Sequence, residues 1–240
     1  MARTLVFGHR GASAYAPQNT LPSFQLALDQ QVDGIEFDVH LSSDGIPVVF
    51  HDFVLDHLTD GTGLIHEKSL ADLKQLDAGG KFGAQFAGVR IPTLAEVFEL
   101  VGDRVILNVE IKSRHQQASR LIGEVIHQFG LQSQVIVSSF DLDTLSLARQ
   151  AMPDIAIGVL HEAILSDEHL KLIEAIRPQA LHPYYQLLFH NTDYVTTYLN
   201  SAFQVNTWTV NDPAHAQKLQ QLGVNAVMTD YPDLIRAALV

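Results

Sequence analysis

Short β-branched runs alternate with helical stretches along the chain, and that alternation limits the fold more than any other feature. Residues 4–8, 34–41, 105–112, 134–139, 155–160, 180–183, 203–210 and 225–229 carry strand patterning. Helical patterning fills 20–31, 93–102, 115–130, 141–152, 166–177, 191–201, 212–223 and 232–239. Thr93 and Glu96 have the spacing of a capping box, Asp212-Pro213 gives an N-cap with a first-turn proline, and Gly130 and Gly223 are placed to stop helices. Eight strand–helix pairs in strict order imply parallel strands joined by right-handed crossovers. The expected architecture is α/β, a closed (β/α)8 TIM barrel, with a doubly wound open sheet as its rival. The 240 residues suffice for one such domain over 1–240. Only the segment from about 52 to 90 breaks the alternation, and it is expected to be an insertion after strand two that lies over the C-terminal face.

Composition then narrows the partners. No run of about 18 apolar residues occurs, so neither a membrane span nor stable membrane association is expected. Residues 1–8 are too short for a signal peptide, and cytoplasm is the expected compartment. The absence of cysteine removes thiolate metal sites and cysteine nucleophiles. Asp and Glu number 27 against 15 Lys and Arg, and the net charge of -12 disfavours nucleic acid as a partner. An anionic small-molecule substrate must therefore be drawn in locally, by a metal ion or a few placed cations. Oligomeric state is not legible.

The second strand, Gly34–Leu41, alternates strictly, which sets Glu36, Asp38 and His40 on one face and apolar residues on the other. The next strand repeats this with Asn108, Glu110 and Lys112. Parallel strands in a barrel turn their apolar faces to the helices, so these polar faces should point inward. Buried carboxylates are costly unless paired or bound to a cation. Glu36, Asp38 and Glu110 together form an all-oxygen donor set, suited to one hard divalent cation, Mg²⁺ or Ca²⁺. Lys112 has two readings, a contact to a substrate oxygen or a salt bridge to a ligand carboxylate. The first strand ends in Gly8-His9-Arg10-Gly11, at the barrel mouth, where a guanidinium can grip phosphate and an imidazole can move protons. A second imidazole follows in His51-Asp52.

His9-Arg10-Gly11, Glu36-x-Asp38, His51-Asp52, Glu110-Ile111-Lys112, Ser139-Phe140, Trp208-Thr209-Val210-Asn211 and Thr229-Asp230-Tyr231-Pro232 together resemble the ordered motifs of the glycerophosphodiester phosphodiesterase family. The resemblance runs from Phe7 to Pro232. It implies metal-dependent hydrolysis of glycerophosphodiesters to glycerol 3-phosphate and an alcohol. By matching position, it implies His9 and His51 as the acid–base pair and Glu36, Asp38 and Glu110 as metal ligands. Arg10 and Lys112 would be phosphate contacts, with Trp208 packed against the glycerol carbons. Pro17-Gln18-Asn19-Thr20 departs from the family's Pro-Glu-Asn-Thr run by one lost charge. A related lipid-headgroup phospholipase and a catalytically inactive binding barrel are the alternative readings.

Other residues carry less. Ser139 lacks a readable partner constellation, Asp230 is expected to order the last loop, and His40 to sit at the pocket rim. His182 has equal claims to a substrate contact and a structural hydrogen bond. Ser42-Ser43-Asp44-Gly45 is a turn signal, so Pro47 to His51 should fold back antiparallel on strand two. A loop of two or four residues pairs positions summing to 89 or 87, which sets His51 opposite Asp38 or Glu36. A loop of three would send it outward.

Overall fold

The computed structural model describes residues 3–190 and 203–239. Its strands are β1 (Leu5–His9), β2 (Gly34–Leu41), β3 (Pro47–Val49), β4 (Ile106–Ile111), β5 (Val135–Ser139), β6 (Ala156–His161), β7 (Ala180–Pro183), β8 (Gln204–Thr207) and β9 (Ala226–Thr229). All but β3 are parallel, in the order β1-β9-β8-β7-β6-β5-β4-β2, and a β1–β2 pairing closes the barrel. The open-sheet rival is excluded. Helices α1 (Leu21–Asp29), α2 (Leu70–Leu73), α3 (Leu94–Val101), α4 (Ala118–Phe129), α5 (Leu142–Ala151), α6 (Asp167–Ile176), α7 (Tyr185–His190), α8 (Pro213–Leu222) and α9 (Pro232–Ala238) account for the other elements named here. The helix expected over 191–201 lies outside the described residues. α7 was not legible, because a short aromatic and apolar run fits strand and helix equally. Among the described residues, no helix is long and apolar enough to cross a membrane.

The expected end signals operate. Thr93 Oγ1 accepts from the Glu96 amide while the Glu96 carboxylate accepts from the Thr93 amide, which starts α3. Gly130 and Gly223 end α4 and α8 in the left-handed region, at φ 68° and 90°. Outward residues Ile35, Phe37 and Val39 of β2 and Leu107, Val109 and Ile111 of β4 share one buried cluster with Leu94, Val97 and Phe98 of α3 and Ile122 and Ile126 of α4. Each such side chain contributes about 1.5–3 kcal/mol on full burial.

Inside the barrel the layering is apolar below and polar above. Phe7, Ala226 and Met228 form a plug. Gly34 makes room for it, since a Cβ there would lie 2.7 Å from the Phe7 ring. Gly158 does the same for His182, with a Cβ position 2.5 Å from that ring. Asn108, Glu36, Asp38, Glu110 and Ser138 are buried polar residues of the inward face.

Residues 52–90 contribute no barrel strand. Leu55, Ile65 and Leu73 bury against Val48, Phe50 and Ile91, so this insertion has an apolar cluster of its own. A Ser69–Asp72 capping box starts its short helix α2.

β3 explains how the insertion meets the mouth. Val39 pairs with Ile111 on one side and Val49 on the other, so β3 takes the edge of β2 that β1 vacates after His9↔Glu36. Along that edge the Arg10 amide donates to Glu36 O (2.8 Å) and the Phe50 amide to Asp38 O (3.0 Å). The hairpin register, however, corrects the expectation. Leu41↔Pro47, His40↔Val48 and Val39↔Val49 each sum to 88, and the Ser42 amide donates to Ile46 O at 3.0 Å. Ser43, Asp44 and Gly45 thus form a three-residue loop of the parity that turns His51 outward. The strand stops at Val49, Phe50 anchors in the insertion's cluster, and His51 enters the mouth from irregular chain beyond the ladder.

Candidate active site

Three buried carboxylates stand at the centre. One oxygen each from Glu36, Asp38 and Glu110 lies within 4.8 Å of the others. The period-two pattern of β2 and β4 puts them there, with Asp38 and Glu110 side by side in the parallel register. Lys112 Nζ lies 2.5 Å from Glu110 Oε1 and 3.4 Å from Asp38 Oδ1, so the salt-bridge reading of Lys112 describes this structure. Arg10 Nε lies 3.3 Å from Asp38 Oδ2, Arg10 Nη1 donates to Gln18 Oε1 at 2.5 Å, and Asn19 Nδ2 donates to Asp38 Oδ2 at 2.8 Å. Gln18 thus serves as a neutral acceptor for the guanidinium.

Two cations do not balance three carboxylates. Burial, then Asp38 and Glu110, pushes the Glu36 pKa well above the carboxylate range. Burial and Asp38 push Glu110 up to about 7. For Asp38 burial is outweighed by Arg10 and Lys112, which hold it low. Asp38 Oδ1 is completely buried and, beyond the Lys112 ammonium at 3.4 Å, has no hydrogen-bond partner among the described residues. An all-oxygen set with more carboxylates than cations and a buried oxygen lacking a hydrogen bond fits a hard divalent cation.

Each mouth histidine is tied to its own carboxylate. His9 Nδ1 donates to Asp230 Oδ1 at 2.6 Å, and His51 Nδ1 donates to Asp52 Oδ1 at 2.7 Å. A carboxylate only accepts, so both imidazoles carry their proton on Nδ1 and turn Nε2 elsewhere. His9 Nε2 lies 3.9 Å from Glu36 Oε2. Burial alone would raise the Asp230 pKa, but the His9 contact, with Asn211 and Ser13, pulls it down to about 2. Asn211 Nδ2 donates to Asp230 Oδ2 at 2.6 Å. Burial lowers the His51 pKa, with Asp38 opposing. His40 is buried rather than at the rim, and its Nε2 donates to the His51 carbonyl at 3.1 Å.

His9, Arg10, Glu36, His51, Glu110, Lys112 and Trp208 line one pocket of about 180 Å³, and Asp38 lies beneath it. Every candidate residue of the sequence is therefore brought to one place. Trp208 forms a wall, its Nε1 donating to His182 O at 2.8 Å and its ring edge-on to Phe140 at 5.4 Å. His182 takes the structural role, with Asn206 Nδ2 at 3.1 Å from its Nε2 and no exposed surface. Sequence reasoning missed Asp52, Asp230 and Asn211 as supports of the histidines. Adjacency to His51 was the available signal for Asp52, while Asp230 lies 221 positions from His9.

The sequence profile of the Glycerophosphoryl diester phosphodiesterase family matches residues 9–234. The chain belongs to that family. Its enzyme class is accordingly glycerophosphodiester phosphodiesterase. It is 36% identical over 238 residues to a glycerophosphodiester phosphodiesterase of Caldanaerobacter subterraneus, covering 97% of this chain and 96% of the relative. Among solved structures, an Oleispira antarctica phosphodiesterase in complex with the product sn-glycerol-3-phosphate superposes with a TM-score of 0.92 at 37% identity, covering 98% and 96% of the two chains. A Thermotoga maritima glycerophosphodiester phosphodiesterase superposes at 0.83 with 31% identity, covering 99% of each chain.

Proposed function

We propose that this chain hydrolyses glycerophosphodiesters to glycerol 3-phosphate and an alcohol, with one divalent cation on Glu36, Asp38 and Glu110 and with His9 and His51 as proton carriers. The carrying observation is the pairing of two Nδ1-anchored imidazoles with an unbalanced buried carboxylate triad in one pocket. The Oleispira relative's product complex supports the same substrate class. Charge accounts for the need of a metal: with all three carboxylates ionised, Arg10 and Lys112 leave one negative charge, which would repel a phosphodiester. A divalent ion held by Glu36, Asp38 and Glu110 would reverse that sign and would supply Lewis-acid stabilisation of the phosphate. Oxygen donors suit Mg²⁺ or Ca²⁺.

With such an ion neutralising Asp38 and Glu110, Arg10 and Lys112 would be free to contact the phosphate. Trp208 and Phe140 offer an apolar wall to the glycerol carbons. One imidazole removes a proton from the nucleophile and the other protonates the departing alkoxide, each step contributing about 10²–10⁴-fold. The test is glycerol 3-phosphate release from a panel of glycerophosphodiesters, with and without chelator, for the wild type, His9→Ala and His51→Ala. Release should require added metal and collapse in both variants. Undiminished turnover in chelator, or in either variant, sinks that part of the assignment.

A further inference from the structure

The pocket above the carboxylates is small, and it continues sideways. Glu110, Lys112 and Phe140 also wall an adjoining recess of about 200 Å³. Through Phe53 and Arg114 that recess opens into a groove of about 640 Å³ bounded by the β2–β3 loop and the start of α4. The separate cavity beside Gln18 and His57 shares no lining residue with the catalytic pocket. Among the described residues this trough is therefore a continuous path for a substituent too large for that pocket.

The trough sets two cations against aromatic rings. Phe53 and Phe140 are both exposed, and each carries a cation over its ring at 5.5 Å: Arg114 on Phe53 and Lys112 on Phe140. Lys112 is engaged by Glu110, whereas no salt bridge forms to Arg114 among the described residues. Two acids of the walls keep their charge but are held by backbone amides and form no salt bridge to Arg114 among the described residues. Asp141 accepts from the Asp143 amide at the head of α5, and Asp44 Oδ1 accepts from the Leu70 amide. Among the described residues the Arg114 guanidinium donates no hydrogen bond, and it occupies the aromatic face that a quaternary ammonium would otherwise take.

We propose that this trough is the alcohol-side subsite, and that Arg114 selects diesters whose alcohol bears an anionic group, a carboxylate or a phosphate. The proposal rests on the hydrolytic function above. Two matched substrate pairs test it, each differing by one anionic group: glycerophosphoethanolamine against glycerophosphoserine, and glycerophosphoinositol against its 4-phosphate. In the wild type the anionic member should have the higher kcat/KM by about five- to tenfold in at least one pair, as expected for a charge-assisted contact. The pair that responds identifies the carboxylate or the phosphate as the recognised group. Arg114→Gln should bring the ratio close to one, Arg114→Glu should invert it, and rising ionic strength should shrink it in the wild type. A purely structural Arg114 would move none of these ratios. Ratios near one in both wild-type pairs, or ratios unchanged in Arg114→Gln, overturn the subsite while leaving hydrolysis intact. Failure of all four diesters to turn over removes the hydrolytic reading and this proposal together.

Discussion

Asp230 Oδ1 lies 2.6 Å from His9 Nδ1, so the exit of the last barrel strand sets the tautomer of the imidazole that ends the first. Closure of the barrel makes this contact, because β1 and β9 are hydrogen-bonded neighbours with Gly8 beside Thr229. The carboxylate fixes the ring and leaves Nε2 toward the carboxylate triad.

Removing that support should harm turnover more than binding. In Asp230→Ala, His9 loses its orientation and its preferred tautomer, and kcat should fall about 10–100-fold, the usual cost of losing an orienting partner. KM and metal affinity should change little, since Asp230 touches neither triad nor pocket floor. Equal kcat in steady-state assays of both proteins would make the contact structural.

Much of this site was legible before any coordinates. Period two in Gly34–Leu41, set in a parallel barrel, is enough to bring Glu36 and Asp38 inward, and the same rule places Glu110. The route of His51 was not legible. Ladder parity at 88 sends it outward, and its arrival depends on where the strand stops, which Phe50 decides by packing in the insertion. Asp230 was legible as a motif residue but not as a partner of His9, since only barrel closure brings ends 221 positions apart together. The His40–His51 contact likewise depends on irregular chain that no periodicity describes.

That contact makes its own prediction. His40 Nε2 holds the His51 backbone carbonyl from a fully packed position, edge-on to Phe53 at 4.9 Å. His40→Ala removes the one hydrogen bond to that carbonyl among the described residues and opens space beneath it. Turnover should fall about tenfold or more through misplacement of His51, and His40→Gln, which keeps a side-chain N–H donor, should recover part of it. Identical kcat in the two variants and the wild type would leave His40 as packing alone.

Metal binding should depend on pH with a definite sign. Glu110 titrates at about 7 without a cation, because of burial and Asp38, and Glu36 is also raised. Ligand carboxylates must be ionised, so binding displaces protons and weakens as pH falls below about 7. The apparent Kd for Mg²⁺ or Ca²⁺ should rise about tenfold per pH unit for each proton displaced. Calorimetry in buffers of differing ionisation enthalpy counts those protons. Glu110→Gln should reduce the count along with the affinity, whereas a pH-independent Kd between pH 6 and pH 8 would remove Glu110 from the ligand set.

Acid should unfold this protein partly through a histidine outside the carboxylate triad. His182 is completely buried, and burial, followed by the charge of His161, lowers its pKa to about 3. The unfolded chain takes up that proton near 6.5, while the native state stays neutral down to about 3. Between those limits the unfolded state binds more protons, so native stability falls as pH falls, by about 1.4 kcal/mol per pH unit from this group. Above the unfolded value neither state is protonated and the contribution vanishes. Urea midpoints at pH 7.5 and pH 5 test the argument through His182→Gln, since the carboxylates titrate alike in both proteins. The variant should be less stable at pH 7.5, having lost a fitted ring over Gly158, yet lose less of its stability on going to pH 5. Equal pH slopes in the two proteins would show that His182 takes no part in acid unfolding.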